Sequence, residues 1–186
     1  MMNNMNEFGM PIAPPERPFT SAEVFIDPPD KNTDLINGLN GLIETCRDGQ
    51  EGFKQAAEGI ADATVKREFY RYSQQRATFV GDLQDLVRTL GGDPENNGSL
   101  SGSLHRGWMN LKAAITGNDE AAIFNECERS EDVAKSEYQT VLEHELPAYI
   151  QQTVQAQYSD VIAVHDRVKS LRDNAANETG NAASGS

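Results

Sequence analysis

Glu131 is the residue of this sequence most in need of a chemical explanation. In "NECERSEDVAKSEY" and its flanks, Phe124, Cys127, Glu131, Ala134, Tyr138 and Val141 fall at alternating steps of three and four. That spacing puts them on one stripe of a helix, the stripe that faces a core. Five of the six suit a core and a carboxylate does not. It binds a metal, or it meets a cation, or the helix is rotated from this register. An unpaired charge at such a level would cost several kcal/mol.

Each resolution has candidate partners. Glu128 lies three residues before Glu131, so both can point to one side of the helix. With His165, at the edge of a later stripe that Tyr158 shares, they would offer oxygen and nitrogen ligands to a metal. Arg76 is the other long ionisable residue on a seam. Its guanidinium fork would satisfy both oxygens of Glu131. Arg76, Glu131 and Tyr138 would then form a buried polar centre that fixes register. Cys46 and Cys127 also lie on inward stripes and read as small buried hydrophobes. His105 and Arg106, beside the single Trp108 in "LHRGWMNLK", would bind an anion or cap carbonyls, with Trp108 anchoring a short helix. Lys66, Arg67 and Glu68, and likewise Asp132 and Lys135, read as solvated surface. No phosphate loop, Ser-His-Asp set or Cys-x-x-Cys pattern is present.

The elements that must position these groups are helical. Leu35, Leu39, Leu42, Cys46, Gly49, Phe53, Ala56 and Ile60 mark a first helix, capped by Asn32 or Thr33. Phe69, Tyr72, Arg76, Phe79, Leu83, Leu86 and Leu90 mark a second, stopped by Gly91-Gly92. A link follows to about Ser103. Then comes a short helix with Leu104, Trp108, Leu111 and Ile115 on one face. Gly117 ends it, and Asn118 or Asp119 caps the helix of Glu131, which the spacing extends to about Glu145. Pro147 breaks the chain there. The last helix faces in with Ile150, Val154, Gln157, Val161, Val164, Val168 and Leu171. The short connections predict antiparallel neighbours and an all-α bundle of four long helices with one extra short helix after the link.

Composition bounds the rest. Six of the eight prolines fall within residues 1–31, which reads as a disordered arm, with Val24-Phe25-Ile26 able to dock on the body. Residues 32–174 carry the bundle, and 175–186, rich in Gly, Ser, Asn and Ala, read as a disordered tail. Lys and Arg number 16 against 29 Asp and Glu, a net charge of −13. So acidic a surface repels phosphate backbones and argues against a nucleic-acid partner. No apolar run suits a membrane span. Two cysteines and the lack of a secretory leader pattern place the chain in the cytoplasm as an expectation.

Four blocks, "LNGLIETCRDGQEGFKQAAEGI", "QQRATFVGDLQDLVRTLGG", "LHRGWMNLKAAITGND" and "NECERSEDVAKSEY", together resemble a bacterial ferritin-like four-helix-bundle family of unknown function. That family is common in proteobacteria and linked to stress responses. The resemblance spans about Thr33 to Asp173 and implies a ferritin-like antiparallel bundle with a crossover link. Dimetal members of that superfamily take one Glu from each of two helices and a Glu-x-x-His from each of the other two. Here Arg76 is followed by Phe79, Ile162 stands three residues before His165, and Cys46 holds the first stripe with Glu44 and Glu51 turned away. The expectation is a non-catalytic bundle with a degenerate dimetal site and no cofactor, acting through a protein partner or a homo-oligomer. The alternative is a reduced site of Glu128, Glu131 and His165 that binds iron, manganese or zinc and supports redox chemistry.

Overall fold

A computed structural model of the chain describes residues 29–94 and 110–183. The arm up to residue 28, the stretch 95–109 with Leu104, His105, Arg106 and Trp108, and residues 184–186 lie outside the described residues. Every regular element among the described residues is helical: α1 (Pro29–Gly59), α2 (Ala63–Thr89), a short α3 (residues 110–116), α4 (Glu120–Leu142) and α5 (Ala148–Ala183). The arrangement is compatible with a helical bundle. No described helix is long and apolar enough to cross a membrane.

Local chemistry sets the helix ends. α1 begins at Pro29, ahead of the Asn32 or Thr33 start read from the sequence. A proline there loses nothing, because first-turn N–H groups have no intrahelical acceptor. Asp62 caps α2: its Oδ1 accepts from the amides of Thr64 and Val65 at 2.8 and 2.9 Å. Those bonds hold its carboxyl below the usual range. After α2, Gly91 takes a positive φ of 78°. The Gly92 amide then returns to the Val87 carbonyl at 2.9 Å. Asp119, one of the two expected caps, accepts from the Ala122 amide at 2.9 Å. Between α3 and α4 the positive φ, 51°, falls on Asn118 rather than on Gly117.

Packing follows the stripes. One buried cluster gathers Leu39, Leu42, Ile43, Cys46, Phe79, Leu83, Tyr138, Val154 and Val161. The other gathers Phe53, Ala56, Phe69, Leu111, Ile123, Phe124, Cys127, Val164 and Val168. Two seam assignments shift at the end of α2: Val87 is fully buried, while Leu86 and Leu90 are only partly so. α5 also runs on to Ala183, where a disordered tail was expected from residue 175. Ala175, one turn after Leu171, continues its stripe against the second cluster, and alanine is the best helix former.

Contacts between helices form a ladder. From α1 to α2, Ile36 meets Gly92, Gly49 meets Arg76, and Phe53 meets Phe69 and Tyr72. From α1 to α4, Gly38 meets Val141, Cys46 meets Tyr138, and Gly59 meets Ile123. From α4 to α5, Tyr138 meets Gln157 and Glu128 meets Arg172. From α2 to α5, Asp82 meets Gln157 and Glu68 meets Arg167.

Candidate functional site

Two polar groupings sit on this frame, and both draw on α4. The first lies between the two apolar clusters. Arg76 of α2 and Glu131 of α4, each about 1% exposed, form an ion pair with Nη2 at 2.5 Å from Oε2. The guanidinium carbon lies 5.4 Å from the centre of the Phe79 ring and 6.0 Å from that of Phe53. Arg76 Nη1 makes no hydrogen bond of its own, and the two ring faces attract the guanidinium charge. Gly49 leaves room for the arginine stem: a Cβ there would stand 3.3 Å from Arg76 Cγ. Burial pushes the Glu131 carboxyl up, against the pull of the Arg76 charge and hydrogen bond. The pairing of Arg76 with Glu131 read from the seam spacing is present, through one bond from Nη2 to Oε2 rather than the expected fork on both oxygens.

Tyr138 adds a hydrogen-bonded chain beside the pair. Its hydroxyl donates to Gln157 Oε1 at 2.8 Å, and Gln157 Nε2 donates to Asp82 Oδ2 at 3.3 Å. The Cys46 sulfur lies 3.2 Å from the same hydroxyl. Because the single phenol proton goes to Gln157, the thiol donates to Tyr138. Burial pushes the Cys46 thiol up to about 11, and pushes Cys127 up as well. Both are buried free thiols, and a protonated, enclosed thiol is a poor nucleophile. Gln157 was expected only as a seam residue, and Asp82 was not singled out at all. Tyr158 shares the α4-facing side of α5 with His165, its ring stacked 6.5 Å from that of Tyr138.

The second grouping lies where α4 meets α5. Ligand-type atoms of Glu128, Asp132 and His165 lie within 4.8 Å of one another. His165 is 6% exposed and Glu128 7%. His165 Nε2 stands 3.0 Å from Asp132 Oδ1, and its Nδ1 stands 3.0 Å from Asp166 Oδ1. Two cations border the group. Lys135 Nζ is 3.5 Å from His165 Nε2 and 3.7 Å from Asp132 Oδ1. Arg172 Nη1 bonds Glu128 Oε2, while its Nε and Nη2 hold Asp173 Oδ1 at 3.0 and 2.7 Å.

Of the three residues read from the sequence as a metal set, the structure brings Glu128 and His165 together and sends Glu131 inward to Arg76. Asp132 takes the third place. It is exposed, as a surface residue should be, yet its carboxylate reaches the buried imidazole. The signal was present in the spacing, since Glu128 and Asp132 are four apart and share a helix face. Arg172 carried no such signal, because nothing local ties it to Glu128. A separate surface depression of about 480 Å³, lined by Thr64, Arg67, Glu68, Tyr70, Arg71 and Gln74, shares no residue with either grouping.

Residues 34–144 match a family described as a domain of unknown function (DUF2383). The match covers more than half of the 186 residues, so the chain belongs to that family. No curated protein matches the chain.

Proposed function

We propose that this chain is a non-catalytic ferritin-like protein: an antiparallel four-helix bundle with one crossover, centred on an ion pair where dimetal relatives hold metal. It works as a structural or interaction module in the cytoplasm, through a protein partner or a second copy of itself. The stress-associated setting comes from the resemblance of its four sequence blocks. The contact ladder supports the topology. Early residues of α1 meet late residues of α2 and α4, and α5 runs against both of those. Arg76 with Glu131, and Phe69 with Phe124, span the diagonal at one common offset of 55 residues. That shared offset supports a parallel course for α2 and α4, and with it the proposed crossover between them.

The observation that carries the function is the Arg76 guanidinium at the central level. A dimetal centre of this superfamily needs several carboxylates and two histidines converging there. The side chains against the ion pair are the Phe53 and Phe79 rings, with the Tyr138 phenol and the Cys46 thiol beside them and Gln157 and Asp82 beyond. A fixed positive charge repels a dication at that level. The test is elemental analysis of protein grown with added iron, manganese and zinc, beside Glu131→Gln. The expected result is that no metal pair is present and that metal content does not respond to the substitution. Two metals per chain that vanish in Glu131→Gln would refute the reading.

A further inference from the structure

We infer that Glu128, Asp132 and His165 form a site for one divalent transition-metal ion on the α4–α5 face, sharing no residue with the Arg76–Glu131 pair. The inference does not rest on the function proposed above. Three observations carry it.

The first is the donor set. Two carboxylates four residues apart on α4 meet a histidine on α5, with all three ligand atoms within 4.8 Å. In a tetrahedral site with bonds of about 2.1 Å, ligand atoms sit about 3.4 Å apart. His165 Nε2 and Asp132 Oδ1, at 3.0 Å, are already near that spacing. Glu128 would have to turn from Arg172 to reach it.

The second is the bracing of the imidazole. Asp166 Oδ1 lies 3.0 Å from His165 Nδ1. A carboxylate on the far nitrogen of a metal-binding histidine fixes its tautomer and orientation and raises its basicity. The other ring nitrogen, Nε2, stands 3.0 Å from Asp132 Oδ1, and Lys135 Nζ lies 3.5 Å from it, so the imidazole bridges two carboxylates at a place where a cation already sits.

The third is that the neighbouring cations can leave. Arg172 keeps its two bonds to Asp173 when Glu128 is withdrawn. The Lys135 side chain is 31% exposed, so solvent can take up its charge when a metal displaces it. The Asp132 side chain is 59% exposed, so the site opens to water and has room for a fourth, non-protein ligand. One nitrogen with two carboxylate oxygens suits zinc, manganese or ferrous iron. It suits calcium and magnesium less, which favour oxygen alone, and cuprous copper less, which favours sulfur. The bound ion ties α4 to α5.

The test is Zn²⁺ titration of the full chain against a competing chromophoric chelator. All variants carry His105→Gln and His144→Gln, so that His165 is the only histidine left. One Zn²⁺ per chain is expected. His165→Gln and Asp132→Asn each abolish binding. Asp166→Asn weakens it about 10–100-fold, and Arg172→Gln tightens it. Asp160→Asn, a remote surface carboxylate on α5, leaves it unchanged. Circular dichroism checks each fold, and if His165→Gln fails to fold, Asp132→Asn at its exposed position decides in its place. Absence of Zn²⁺ binding to the parent chain, or an affinity unchanged in His165→Gln, Asp132→Asn or Asp166→Asn, overturns the site.

Discussion

Replacing Glu131 with leucine removes the charge at the bundle centre while nearly preserving side-chain volume. The guanidinium it leaves behind cannot deprotonate, and at about 1% exposure it has no solvent to turn to. Breaking a buried pair from one side costs about 3–5 kcal/mol, a large share of the roughly 5–15 kcal/mol that holds a domain folded. The reverse change, Arg76→Met, is not its mirror image. Burial already pushes the Glu131 carboxyl up, and Arg76 is the main force opposing that rise. Without Arg76 the carboxyl rises further and takes a proton, so the loss is smaller at low pH. The sign follows from linkage. A carboxyl whose folded pKa exceeds its unfolded value favours folding below the unfolded value, and that contribution is lost as pH rises through the folded one. Arg76→Met should therefore gain stability on acidification relative to Glu131→Leu. The double variant removes both charges and should return to within about 1–2 kcal/mol of the parent. Urea unfolding followed by circular dichroism, with midpoints compared at constant slope, measures all four corners. The reasoning is refuted if Glu131→Leu stays within about 1 kcal/mol of the parent, or if the two single effects simply add.

Three further substitutions probe α1. Burial, with the charge of Glu44 added and that of Arg47 opposing, pushes Asp48 up to about 6 from 3.8. The native chain should thus lose stability as pH rises from 3.8 through about 6. Asp48→Asn should recover about 1 kcal/mol near neutral pH, allowing for solvent screening at this half-buried site, and nothing once the carboxyl is protonated. Melting temperatures across that range read both. Gly52 has open space where a Cβ would go, so Gly52→Ala should stabilise α1 by about 0.8–1.0 kcal/mol. At Gly49 the same methyl would stand 3.3–3.4 Å from Arg76 Cγ, Cδ and Nε. The overpacking there, about 1–3 kcal/mol, should leave Gly49→Ala less stable than Gly52→Ala by at least about 1 kcal/mol in urea unfolding.

The interior of the bundle was legible because its seams repeat. Every expected seam residue of α4 is buried, Glu131 included, and only Leu171 of the α5 set is partly exposed. The opposition of Arg76 to Glu131 was readable as well. Each stood alone as a charge near the middle of a helix, and the cheapest way to hold both was to join them. What escaped the sequence lay at helix ends and on faces. Periodicity reports which residues point inward, and it weakens where a helix leaves the core. Leu86 therefore gave way to Val87, and the alanines after Leu171 went unrecognised as helix. The reach of Asp132 to His165 was missed for another reason. Exposure alone does not distinguish a solvated carboxylate from one leaning over a buried histidine on the next helix.

That last ambiguity has a geometric root. At about 100° per residue, Glu128 and Asp132 stand only about 40° apart around α4, while Glu131 is about 60° from the first and about 100° from the second. The three carboxylates straddle a boundary. Glu131 faces the diagonal partner α2, and the other two face α5. Spacing admits Glu128 with either neighbour, slightly favouring Asp132, and the position of His165 decides. Arg76 then sharpens the division. A guanidinium committed to Glu131 withdraws that carboxylate from ligation and makes the central level repulsive to a dication. A metal held by α4 must therefore lie on the α5 side, where the remaining carboxylates and the imidazole converge. The ion pair and the proposed metal site are in this sense one arrangement: the first fixes α4 against α2 across the diagonal, and the second would fix it against α5.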